Sequence, residues 1–216
     1  MDAARHRNFF HIAFLVTVLT TVAVAADKVE RSGPPPASVS SELRQAVEEK
    51  GYRVTLDGGW TGEFWFAKNL ATTKKDVSGA LYPELSDGEF VGVVSFPRGF
   101  SDYRGQSIPA GVYTLRYQLL PQDGNHLGVA PSPDFLLAIP AADDSHPDAI
   151  YPYKKLVALS AKSTGGNHPA VIAMEGGGAA GSVNMTDQGY VVFTVAVPSS
   201  SGSEKLGIIV KGSASQ

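Results

Sequence analysis

The sequence predicts a mainly β protein: an antiparallel β-sandwich, immunoglobulin-like or jelly-roll-like, with one N-terminal helix. Three observations carry this. Eight segments are rich in β-branched and aromatic residues, several with strict apolar–polar alternation, the period at which side chains point to opposite faces of a strand. Glycine and proline, 23 and 14 of 216 residues, punctuate the chain between them. There is no cysteine, so the fold must rest on a core rather than on disulfides, and the length suffices for one such core.

The elements follow in order. Residues 1–26 read as a secretory signal peptide: Arg5, His6 and Arg7 precede an apolar run, and Ala23-Val24-Ala25 is a small-x-small cleavage site. That run is shorter than the roughly 20 apolar residues of a spanning helix, so no membrane span is expected after cleavage. Residues 27–37 contain Gly33-Pro34-Pro35-Pro36 and read as a Pro-rich, extended linker. Residues 38–216 form the single domain. Ser38 to Lys50 predicts a helix, with Ser38 as N-cap, Gly51 as stop and Val39, Leu43 and Val47 on one face. Tyr52–Leu56 and Gly62–Lys68 flank Asp57-Gly58-Gly59 as a hairpin. Further strands are expected at Glu89–Phe96, Gly111–Leu120, Phe135–Ile139, Ala170–Glu175, Tyr190–Val197 and Lys205–Lys211. Tyr151 to Ser163 reads as a second, mid-chain helix, with a strand over Leu156–Leu159 as the competing reading. Gly176 to Gly181 lacks the Gly-Lys-Ser/Thr of a phosphate loop and reads as a flexible connection.

Charge excludes some partners. The 18 basic and 21 acidic residues give a net charge of −3, which becomes −4 once Arg5, Arg7 and Asp2 leave with the leader. No basic patch points to nucleic acid. The leader places the protein outside the cytoplasm, periplasmic or extracellular.

Within residues 96–140, the piece IPAGVYTLRY makes a turn at Pro109-Ala110-Gly111 and then alternates as a strand. This PAGxYTL pattern resembles the turn-then-strand unit of exported bacterial β-sandwich domains, including carboxypeptidase-regulatory-like and other immunoglobulin-like modules. The longer run, through DGNHLG to FLLAIPAADD, resembles a group of exported bacterial proteins of unknown function. The resemblance implies a fold class and a compartment, and it brings no catalytic residues.

Two constellations compete for function. The tripeptide Gly-Asn-His occurs twice, at 124–126 and 166–168. His126 and His168 could offer imidazoles to a divalent metal, with Asp123, Asp134, Asp143 or Asp144 as the carboxylate. That gives a metal-dependent hydrolase as the alternative function. No HxH or HExxH spacing supports it, and Gly-Asn is turn chemistry, which leaves Asn125 and Asn167 as turn residues open to a ligand. The second constellation is aromatic: Trp60, Trp65 and Tyr103 lead a set of rings suited to stacking on a small molecule, a carbohydrate or a protein surface. Alternation on Gly62–Lys68 sends Phe64 and Phe66 one way and Trp65 the other, so one face must be covered or exposed. The favoured reading is a non-catalytic ligand- or protein-binding module without a cofactor. Its ligand and oligomeric state are not written in the sequence.

Overall fold

In a computed structural model, residues 27–73, 77–121 and 130–212 are described. Their elements in chain order are β1 (Lys28–Arg31), α1 (Ser41–Ala46), β2 (Tyr52–Thr55), β3 (Thr61–Phe66), β4 (Phe90–Phe96), β5 (Phe100–Ser101), β6 (Ser107–Ile108), β7 (Gly111–Leu119), β8 (Asp134–Pro140), α2 (Tyr153–Thr164), β9 (Ala170–Ala173), β10 (Ser182–Met185), β11 (Val191–Ser199) and β12 (Gly202–Lys211). The fold is mainly β and every strand ladder is antiparallel. No helix among the described residues is long and apolar enough to cross a membrane.

The large sheet has seven strands in the order β1-β2-β3-β4-β7-β8-β9, and the small one has β10-β11-β12. Alternation decides what lies between them. Phe64 and Phe66 of β3 point inward, onto Phe193 of β11 at ring separations of 5.4 and 6.1 Å. Leu206, Ile208 and Val210 of β12 join the same buried cluster. Aromatic pairs of this kind add about 0.5–1.5 kcal/mol each beyond the area they bury. Along one side the sheets meet directly: Met174, just past β9, bridges Ile208, and Glu175 N–H donates to Gly207 O at 3.1 Å.

The outer face of the large sheet is covered as well. Leu156 of α2 packs with Phe135, Leu137 and Ile139 of β8, and Ser160 and Ser163 both donate to Ala138 O at 2.9 Å. Residues 156, 160 and 163 are the buried stripe of α2, which confirms the helical reading of this segment over the strand. Trp65, on the other side of β3 from Phe64, is 2 % exposed and donates its indole N–H to Gly33 O at 2.9 Å.

That bond corrects the linker expectation. Residues 28–31 pair with β2, Ser32 N–H donates to Gly51 O, and Pro35 is buried. The proline run is therefore part of the domain, an extended cover over Trp65. The N-terminal helix is shorter than its sequence pattern, with Ser40 as the N-cap instead of Ser38. Val39, Leu43 and Val47 are all buried as their spacing requires. The helix stops at Ala46 because the following backbone pairs with the end of β3: Glu48 N–H donates to Phe66 O and Lys68 N–H to Ala46 O.

Within the largely exposed Gly176–Gly181 stretch, Gly177 and Gly178 are packed against the small sheet. Gly178 N–H donates to Thr194 Oγ1 at 2.9 Å, and a Cβ on Gly177 would sit 2.2 Å from the same oxygen. These glycines allow the chain to cross tightly from the large sheet to the small one.

Candidate functional site

The sites named by the sequence separate cleanly. Trp65 presents no face to a ligand, being sealed under the Gly33–Pro36 segment. Asp123, Asn125 and His126 lie outside the described residues. Asn167 and His168 are exposed in the turn after α2, where His168 O accepts from Thr164 Oγ1. Asp143 pairs with Lys162 at 2.5 Å. Among the described residues no group of three or more His, Asp or Glu is arranged to hold a metal ion.

Two of the other aspartates weighed as ligands are fully spent inside the protein. Asp144 takes a bidentate ion pair from Arg116, 2.7 Å to Nε and 2.8 Å to Nη2, and a further bond from Thr114 Oγ1 at 2.7 Å. Asp134 accepts from Tyr117 Oη at 2.6 Å, Leu81 N–H at 2.7 Å and Tyr82 N–H at 3.0 Å. Both carboxylates are wholly buried. Each ties a loop to the sheet and neither faces a cavity.

Trp60 and Tyr103 belong to a different arrangement. At one end of the sandwich three loops converge: the β2–β3 turn, the β5–β6 hairpin and the β10–β11 turn. They border an open cleft of about 540 Å³. Half-buried Trp60, Phe100 and Tyr190 line it, with Leu56 and Val210 beneath. This is the usual composition of a small-molecule site, mostly apolar and aromatic with few polar groups.

Each wall is held by its own hydrogen bonds. Asp102, 1 % exposed, closes the β5–β6 hairpin by accepting from Arg104 N–H, Gln106 N–H and Gln106 Nε2 at 2.7–3.0 Å. Gln106 Nε2 also donates to Pro169 O at 3.0 Å, which fastens the hairpin beside β9. Trp60 Nε1 donates to Gly99 O at 3.2 Å and so joins the β2–β3 turn to that hairpin. Tyr103 and Tyr190 share a hydroxyl–hydroxyl bond of 2.8 Å, joining the hairpin to the β10–β11 turn. Burial first, and then this bond, raise the Tyr103 hydroxyl well above its ordinary pKa, so the link is neutral across the physiological range. Tyr103 is thus a strut of the cleft. Gly62 completes the frame: a Cβ there would lie 2.6 Å from Trp60 Cη2, so only glycine lets the indole lie against β3.

No family model, no curated protein and no solved structure matches the chain. The geometry alone must carry the reading.

Sequence reasoning found Trp60 and missed Phe100, Tyr190, Asp57, Gln188 and Lys211, which complete the cleft. A signal existed: Phe100 and Tyr190 each follow a glycine, at the end of a strand segment and not in its interior. Their convergence depends on the strand order.

A second hollow of about 520 Å³ opens over Asp87, Glu89 and Asp148, with Arg116 at its base. The Arg116 guanidinium is already fully bonded, and Glu89 Oε1 accepts from Ala71 N–H at 2.8 Å. Burial raises the Glu89 carboxyl above its ordinary pKa. This hollow gathers acids without a free cation among its lining residues to balance them, and its one aromatic lining residue is the buried Phe90, against three half-buried rings in the cleft.

Proposed function

We propose that the protein is an exported, non-catalytic binding module, and that its ligand site is the aromatic cleft of Trp60, Phe100 and Tyr190. The observation that carries this is the tethering of the three loops. The bonds Trp60–Gly99 and Tyr103–Tyr190 hold the rings apart around an open volume before any ligand arrives. A pre-formed site avoids the ordering cost of a floppy one. The cleft walls contain no histidine, cysteine or serine–base pair placed for nucleophilic chemistry, and the signal peptide and the PAGxYTL resemblance support export.

The test is a fragment screen by NMR, with saccharide, amino-acid and aromatic fragments added to the isotopically labelled domain. Binding fragments are expected to shift the Trp60 indole N–H and the Gly189–Val191 amides while leaving the Trp65 indole unmoved. Hits that map elsewhere, or no hits at all, would sink the assignment.

A further inference from the structure

We infer that the cleft takes a neutral saccharide, stacked by its C–H faces on Trp60, Phe100 and Tyr190. This rests on the reading of the cleft as the ligand site and adds the ligand's chemical class. Four features of the site select it.

The first is what the rings leave free. The indole N–H of Trp60 is used by Gly99 O and the hydroxyl of Tyr190 by Tyr103, so these rings offer faces and edges rather than polar tips. Sugar C–H groups carry partial positive charge, and an aromatic face is the negative part of the ring quadrupole. The second is geometry. Trp60 and Phe100 are tilted by 55° at 5.7 Å, an angled wall and not a parallel slot. A flat aromatic ligand would prefer a slot, whereas a puckered ring can rest on one plane while its edge meets the other.

The third is the rim. Ser101, Gln188 and Lys211 are exposed there, and their side chains make no hydrogen bond to any described residue. Asp57 uses Oδ1 for its own turn, accepting from Gly58 N–H at 2.8 Å. The rim therefore holds unspent donors and acceptors of both kinds around an apolar floor, which matches a ligand carrying hydroxyls at its edge and C–H groups on its face. The fourth is charge. One acid, Asp57, and one base, Lys211, balance each other among the lining residues, and the nearest further charge, Asp27, has one carboxylate oxygen on the Asp57 amide at 2.8 Å, so the lining carries no cluster of one sign to select an anion or a cation.

The experiment titrates the intact domain, freed of its leader, with xylohexaose, cellohexaose, maltohexaose and chitohexaose, followed by calorimetry and tryptophan fluorescence. Phenylalanine and the dye anilinonaphthalene sulfonate serve as comparison probes. At least one saccharide is expected to bind saturably, with an affinity that does not change with ionic strength. Trp60→Ala should weaken it about tenfold or more. Gln188→Ala, an exposed change that leaves the core untouched, should weaken it about three- to tenfold. Binding of phenylalanine or the dye in the cleft with no saccharide binding overturns the ligand class while the site survives. Silence from every probe overturns both. Saccharide binding that is indifferent to Trp60→Ala and Gln188→Ala places the sugar elsewhere and also overturns the inference.

Discussion

Arg116 places all five of its N–H donors: two on Asp144 and one each on Gly88 O, Ala149 O and His146 O. It is 1 % exposed and stacks near Tyr151 at 5.0 Å. Desolvating both ions cancels much of their attraction, so the pair is better understood as a locator of residues 144–149 than as a large store of stability. Removing one partner is a different matter. Arg116→Met should cost about 3–5 kcal/mol, because Asp144 is left buried and unpaired, and Arg116→Met with Asp144→Leu should cost less than the single change. Urea unfolding of the two variants checks this, and equal losses would mean that the guanidinium stabilises in its own right. Tyr82 gives a pH prediction at the same scale. Burial chiefly raises its hydroxyl from 10.0 to about 12, against the lowering effect of the N–H that Gly207 donates to it at 2.7 Å. A hydroxyl with a raised pKa keeps its proton longer when folded. Its stabilisation is therefore complete below pH 10 and is lost as the pH rises through about 12. Urea midpoints should fall across that window, and Tyr82→Phe should flatten the fall.

At the level of elements, the segment 27–37 shows what composition conceals. Three prolines in a row describe an extended chain without internal hydrogen bonds, which suits a tether and equally suits a cover strip. The difference lies in a partner far along the chain, the indole of Trp65, and no local pattern names it. A variant beginning at Ser38 should lose β1 and uncover Trp65. It is expected to unfold at lower urea and to show a Trp65 signal newly open to acrylamide quenching, whereas a true tether could be removed with neither effect. The N-terminal helix illustrates the converse. Val39, Leu43 and Val47 had to face inward whatever the backbone did, so their burial was legible from spacing alone. The helix length was not, because it is set by the pairing of residues 46–48 with the end of β3. Strands β4, β7, β8, β11 and β12 were legible from their apolar runs. The short β5, β6 and β10 were not: β5 and β6 have two residues each, too few to show a period, and β10 follows directly on a glycine-rich stretch that reads as a connection.

For the molecule as a whole, the sandwich class was readable and the site only in fragments. Trp60 could be picked out because an indole next to a Gly-Gly turn has no strand interior to fill. Tyr103 could be picked out too, although its part is to brace the cleft through Tyr190. What joined them to Phe100 and Tyr190 was the folding of three loops to one end, a property of topology and not of any window of sequence. The same end has a practical side. Asp27, where the described chain enters, accepts the amide of Asp57 at 2.8 Å, and Asp57 stands on the rim of the cleft. Gly212, where the described chain leaves, also borders it. Anything joined before residue 27 or after residue 212 therefore starts its path beside the mouth. A tag or chip anchor fused directly at residue 27 or residue 212 would stand at the edge of the opening and compete for it. Attachment through a cysteine introduced on the exposed face of α2, on a chain that has no other, keeps the anchor off both of these edges.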